Sequence, residues 1–96
     1  MKYVILADLD PETGIEIEAQ PEKIQELIGK WQAHNLLGFY FSITSRRLTI
    51  IIEADNEDEF FDALHATWVL TLDYPDVYPV VDVDDFPDLL ARAGVS

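Results

Sequence analysis

At 96 residues the chain has room for one domain and one core, able to bury only about two thirds of its unfolded surface. With 19 acidic residues against 6 basic, a formal net charge of −13 repels phosphate backbones and anionic lipid, which excludes nucleic acid and membrane surfaces as partners. An apolar fraction of 49% without a single cysteine describes a folded chain that has no disulfide, zinc–thiolate site or thiol nucleophile.

The elements follow in chain order. Lys2 to Asp8 carries β-branched and aromatic residues in loose alternation and predicts a first strand. This opening stretch has no signal-peptide cleavage pattern, and no later run approaches the ~18 apolar residues of a membrane span, so the expected location is the cytoplasm. Asp10-Pro11-Glu12-Thr13-Gly14 has the composition of a turn. Gln20-Pro21-Glu22-Lys23 predicts a helix start, with Pro in the first turn and an acid where the helix dipole favours it. Ile24, Leu27, Ile28 and Trp31 then form one apolar stripe, and Asn35 is a suitable C-terminal cap.

Leu37, Phe39, Phe41 and Ile43 alternate with Gly38, Tyr40 and Ser42, the period-two pattern of a strand. Thr44-Ser45-Arg46 supplies the turn, and Leu48 to Glu53 returns as the hairpin partner. Asn56 and Glu59 have the spacing of a capping pair for a second helix, whose apolar face is expected at Phe60, Phe61, Leu64 and Trp68 and whose end is expected near Trp68. A last strand is predicted over Asp76 to Asp84, with Pro79 arguing for an edge position or a bulge. Phe86 to Arg92 predicts a short final helical turn stopped by Gly94.

This β-α-β-β-α-β order predicts a single α+β domain over residues 1–96, with the ferredoxin-like arrangement of a four-stranded antiparallel sheet and two helices on one face. Ile50-Ile51-Ile52, Val4-Ile5-Leu6 and Val80-Val81 place apolar side chains on both faces of that sheet. An exposed apolar face is unfavourable in water, so the second face calls for a cover. The expected cover is a second copy of the chain; the alternative is the final helical segment.

Ile50-Ile51-Ile52-Glu53-Ala54-Asp55-Asn56-Glu57-Asp58-Glu59-Phe60 running into a helix, with Asp76-Val77-Tyr78-Pro79-Val80 in the last strand, resembles the dimeric α-β barrel superfamily. Within it, the pattern is similar to muconolactone-isomerase-like proteins and allied uncharacterised families. The resemblance implies two facing sheets in a homodimer and a small-molecule pocket between sheet and helices. Members include isomerases, monooxygenases and proteins without known activity. No catalytic motif of the family maps onto particular residues here.

The candidate chemistry is sparse. His34 and His65 are the only histidines, each able to act as a general base near neutral pH. Their bland reading is a solvated residue at a helix end and on a helix face. Asp8, Asp10 and Glu12 precede Gly14 without the glycine and glutamate spacing of a calcium loop, so they read as a solvated acidic turn. Arg46 and Arg47, two of three arginines, stand together at the central hairpin and suit bidentate binding of a carboxylate, or pairing with the abundant surface acids. Tyr40, Trp68 and Tyr78 suit the lining of a pocket for a partly apolar ligand, or ordinary packing. No residue pattern implies a cofactor or a metal. These features predict a small ligand-binding or interaction protein acting as a homo-oligomer. The alternatives are an isomerase-like or oxygenase-like enzyme on a small carboxylated or aromatic compound, and an acidic partner of a basic protein.

Overall fold

The computed structural model describes residues 1–94. Four strands, β1 (Lys2–Asp8), β2 (Asn35–Phe41), β3 (Arg47–Glu53) and β4 (Asp76–Val80), form one sheet in the order β2-β3-β1-β4. Every neighbouring pair is antiparallel. The helices are α1 (Pro11–Ala19), α2 (Pro21–Gln32), α3 (Phe61–Thr71) and α4 (Phe86–Arg92). Short 3-10 turns at Glu57–Phe60 and Val83–Asp85 lead into the last two. The chain is therefore an α+β domain with an open antiparallel sheet, and among the described residues no helix is long and apolar enough to cross a membrane.

Period-two burial fixes the core. Tyr3, Ile5 and Ala7 of β1 and Leu48, Ile50 and Ile52 of β3 point to one face, where Leu27 and Trp31 of α2, Ala63 of α3 and Phe60 just before it close over them. The ring of Phe60 lies between Tyr3 and Trp31, with centroids 5.2 and 5.9 Å away. Trp31 is fully buried, and its indole Nε1–H donates to Thr67 Oγ1 at 2.9 Å. Thr67 in turn donates to the Ala63 carbonyl at 2.8 Å, so both polar groups are satisfied inside the core.

Several elements differ from the sequence expectations, each for a local reason. The stretch expected as a turn opens α1. Asp10 caps it, its carboxylate accepting from the Thr13 backbone N–H at 2.7 Å, while Pro11 occupies the first turn, where its missing N–H costs nothing. Asn35 begins β2 instead of capping α2, whose cap is Ala33. Leu37 is the extra residue of a bulge, because Leu36 faces Ile52 and Gly38 faces Ile51. The helix-facing residues of β2 are thus Leu36, Phe39 and Phe41. α3 runs to Thr71, and its inward positions are Ala63, Thr67 and Thr71, while Phe61 turns outward. The threonine hydroxyls bond to carbonyls one turn back, which lets polar residues occupy the buried stripe.

Glu59 reaches back as a capping residue should, but it accepts from the Asp55 N–H at 3.1 Å, and Asn56 makes no side-chain cap bond. β4 ends at Val80, and the acidic residues Asp82, Asp84 and Asp85 lie in the turn beyond it. As Pro79 requires, β4 is an edge strand bonded only to β1.

The second sheet face is not covered by α4, which packs chiefly on the turn preceding it. Val4, Leu6, Ile51 and Val80 remain half-buried there, and Tyr40 and Tyr78 are exposed on the two edge strands.

Candidate functional site

The cleft between helices and sheet begins with α1. Its Ile15 and Ile17, with Ile24 and Ile28 of α2, face Phe39, Phe41 and Leu48 of the sheet across a volume of about 380 Å³. Leu9, Gly14, Glu18 and Arg46 complete the wall. Two carboxylate oxygens from a ligand would meet one cation here, because Arg46 is the only basic residue in this lining.

Arg46 is positioned by its backbone. In the turn joining β2 to β3 it adopts φ +53°, a left-handed conformation that costs a side-chain-bearing residue about 1–2 kcal/mol. Two backbone bonds hold it there: its N–H donates to the Ser42 carbonyl at 3.1 Å, and its own carbonyl accepts from Leu9 N–H at 3.0 Å. The guanidinium extends over α1, where its Nη1 lies 3.9 Å from the point a β-carbon on Gly14 would occupy. Among the described residues Arg46 makes no ion pair within 4 Å, despite the acidity of the chain.

The neighbouring Arg47 serves a different purpose. Its Nε donates to Asp8 Oδ1 at 2.8 Å and its Nη2 to Asp8 Oδ2 at 3.5 Å, joining the ends of β3 and β1. The hydrogen bond to Asp8, then the charge of that carboxylate, raises the Arg47 pKa further. Of the acidic residues before Gly14, Asp8 is thus an ion-pair partner and Asp10 a helix cap, and among the described residues no three His, Asp or Glu side chains converge as metal ligands.

The histidines stand elsewhere. His34, at the junction of α2 and β2, shares a 2.7 Å hydrogen bond between its Nε2 and Asp62 Oδ1. Partial burial alone would raise the Asp62 pKa, but the bond to His34, the Ala63 N–H and the nearby charges of His34 and Lys30 lower it. His65 is exposed on α3 and lines a separate outer groove of about 610 Å³ between α1, α2 and α3. Trp68 packs its ring against Tyr74 at 4.3 Å, on the outside of α3. Tyr40 lies across Gly38 on the open sheet face, and Tyr78 stands on the opposite edge of that face.

Of the candidate residues, only Arg46 lines the inner cleft. His65 lines the outer groove with the Trp68 ring 5.6 Å away, and Arg47, His34, Tyr40 and Tyr78 occupy four further positions. The isoleucines of α1 were missed because Ile15-Glu16-Ile17-Glu18 alternates like a strand. The available signal was Asp10-Pro11-Glu12, a cap, a proline at the first helical position and an acid.

A family model described as a domain of unknown function, DUF3303, matches residues 1–94. The chain belongs to this family. The match spans all four strands and both walls of the cleft, so the site just described lies within the DUF3303 domain. No curated protein matches the chain.

Proposed function

We propose that this DUF3303 domain binds a small carboxylic acid with an apolar body in the inner cleft, Arg46 taking the carboxylate and the isoleucine and phenylalanine side chains taking the body. The observation that carries this reading is an arginine that makes no ion pair among the described residues, held in a strained backbone conformation at the wall of a cleft that is otherwise aliphatic and aromatic apart from Gly14 and Glu18. Strained residues persist where the surrounding structure over-determines them, and they cluster at ligand sites. A cleft of mostly apolar lining with few polar groups is the usual form of a small-molecule site. Glu18, also in the wall, disfavours a second carboxylate and so selects monocarboxylates.

The strand order β2-β3-β1-β4, with α2 and α3 on one face, supports assignment to the ferredoxin-like topology. A second copy covering the open face would complete a dimeric α-β barrel. Monomers rarely leave bare an apolar patch above roughly 300–600 Å². Burying such a patch contributes on the order of 10 kcal/mol at about 25 cal/mol per Å², before association costs. The absence of cysteine suits a cytoplasmic setting.

An isomerase-like or oxygenase-like reaction would need a proton carrier beside the anchor. Because His65 and Arg46 line different spaces, binding is the reading the geometry favours.

Calorimetric titration with octanoate, phenylacetate, octanol and octylamine tests the ligand class. Binding of the acids and not of the alcohol or amine is the expected result. Equal binding of octanol would remove Arg46 from the site, and no binding of either acid would refute the proposal. Light scattering on a sizing column at low and high salt tests the dimer, which a monomer at both salts would exclude.

A further inference from the structure

α3 presents apolar side chains on two sides. Its inner side is in the core, yet Phe61, Val69, Leu72 and Tyr74, on or just beyond it, are 60%, 59%, 73% and 69% exposed. A helix apolar on both sides is ordinarily buried on both. Along the outer side Phe61, His65, Trp68 and Leu72 recur at helical spacing, and the rings form a continuous row. Phe61 to His65 is 6.1 Å between centroids, His65 to Trp68 is 5.6 Å, and Trp68 to Tyr74 is 4.3 Å. Acids stand at both ends of the row: Glu57, Asp58 and the His34-bonded Asp62 at the start, Asp73 at the finish. The lysines nearest to it, Lys23 and Lys30, lie across the outer groove on α2, accompanied by Glu26 of α2 and Glu16 of α1.

We infer that this aromatic row is a docking strip for an arginine-bearing, basic amphipathic segment of another protein. The charge selects the occupant. A second copy laid antiparallel on the same strip would set Glu57, Asp58 and Asp62 against Asp73, which is like charge against like. A cationic segment meets acids at both ends and π faces between them. Arginine suits such a strip better than lysine, because its planar, weakly hydrated guanidinium stacks on aromatic rings while its stem covers Val69 and Leu72. The mode is that of an amphipathic helix laid along an apolar surface, with charge fixing orientation and association rate. The strip lies outside the inner cleft, so this inference stands independently of ligand binding there.

The test uses a helical peptide with arginine and leucine along one face, and matched peptides carrying lysine or glutamate in place of arginine. Each is titrated into the full chain and into Phe61→Ser/Tyr74→Ser, which keeps the net charge and alters only exposed side chains. Retained helical circular dichroism establishes that the variant is folded. The arginine peptide is expected to bind most tightly, to weaken as salt rises, and to lose roughly tenfold in affinity on the variant. Equal binding to wild type and variant would overturn the inference, since it would be attraction to net charge alone. So would equal binding of the glutamate peptide, or no binding of the arginine peptide. A dimeric wild type that becomes monomeric in the variant would also overturn it, because the occupant would then be a second copy.

Discussion

Replacing Arg46 with glycine separates the backbone role of this position from the anchoring role proposed for its side chain. At φ +53° the arginine backbone carries about 1–2 kcal/mol of left-handed strain that glycine does not. Glycine also frees the unfolded chain, offsetting about 0.5–1 kcal/mol of that relief. Both backbone bonds, to Ser42 and from Leu9, survive the change. Stability should therefore stay level or rise by about 1 kcal/mol, a gain of at most roughly 4–8 °C in Tm for a chain of this length. Affinity should move the other way. A hydrogen bond to a charged partner contributes about 1.5–3 kcal/mol, so loss of the guanidinium should weaken octanoate binding roughly ten- to hundred-fold.

Thermal melts give the first quantity and calorimetry the second, on the same samples. Arg47→Gln is the comparison, since Arg47 pairs with Asp8 away from the cleft and its loss should leave octanoate affinity unchanged. Arg46→Gly melting several degrees below wild type would show that the side chain is structural. Arg46→Gly binding octanoate as well as wild type would refute the carboxylate anchor.

Gly14→Ala should stabilise by about 0.5–1 kcal/mol through helix propensity, because the added methyl meets Arg46 Nη1 at an ordinary 3.9 Å; Gly14→Leu should displace the guanidinium and weaken octanoate binding, read by calorimetry. Thr67→Val keeps the shape of the core but leaves the buried Trp31 N–H without an acceptor, for an expected loss of about 1–3 kcal/mol in urea denaturation. Tyr3 gives an alkaline signature. Burial first, then Glu57, Glu59 and Asp55, raise its pKa above the ordinary 10.0, so the folded state holds this proton more tightly than the unfolded chain. That stability is fully present below pH 10 and is lost as the pH climbs through the raised value. Urea midpoints between about pH 8 and 11 should accordingly fall more steeply for wild type than for Tyr3→Phe. Asp10 behaves in the opposite sense. The Thr13 N–H lowers its pKa below the ordinary 3.8, so its contribution is present above that value and lost in acid, and Asp10→Ala should lower Tm by roughly 4–8 °C at neutral pH and by less near pH 2.

The sheet and α2 were legible because their signal is hydrophobic alternation or an apolar stripe, and burial rewards both directly. Pro79 told of its edge position because a residue without an N–H cannot sit between two strands. α1 was hidden by a conflict between two signals: the cap and proline say helix, while isoleucine and glutamate alternate as in a strand. Its tertiary role resolves the conflict, since Ile15 and Ile17 form one side of a cleft and need no buried helical stripe. The inward face of α3 was misread because threonine counts as polar in any pattern, whereas a hydroxyl bonded to a carbonyl one turn back is compatible with a core. Arg46 could be picked out as scarce and adjacent to Arg47. Only the fold separates the two, one bonded to Asp8 and the other turned over Gly14.

The chain exposes two apolar surfaces, and the charges around them favour different partners under the two proposals above. Around the open sheet face most charges are paired within the chain, Lys2 with Asp82, Arg47 with Asp8 and the terminal amine with Glu53, and the remaining acid, Asp76, acts on Arg47. Bringing two such faces together sets mostly neutral pairs against one another, with Asp76 the exception among the described residues, so apolar burial can drive self-association at a small electrostatic cost. The strip on α3 is less compensated: among the described residues only Asp62 is paired, with His34, while Glu57, Asp58 and Asp73 make no ion pair. Copies of a chain with a net charge of −13 should therefore meet through the sheet and turn their α3 strips outward, toward a partner of opposite sign. Raising the salt should then separate the two associations, strengthening or sparing the one between sheets while dissolving the one on α3.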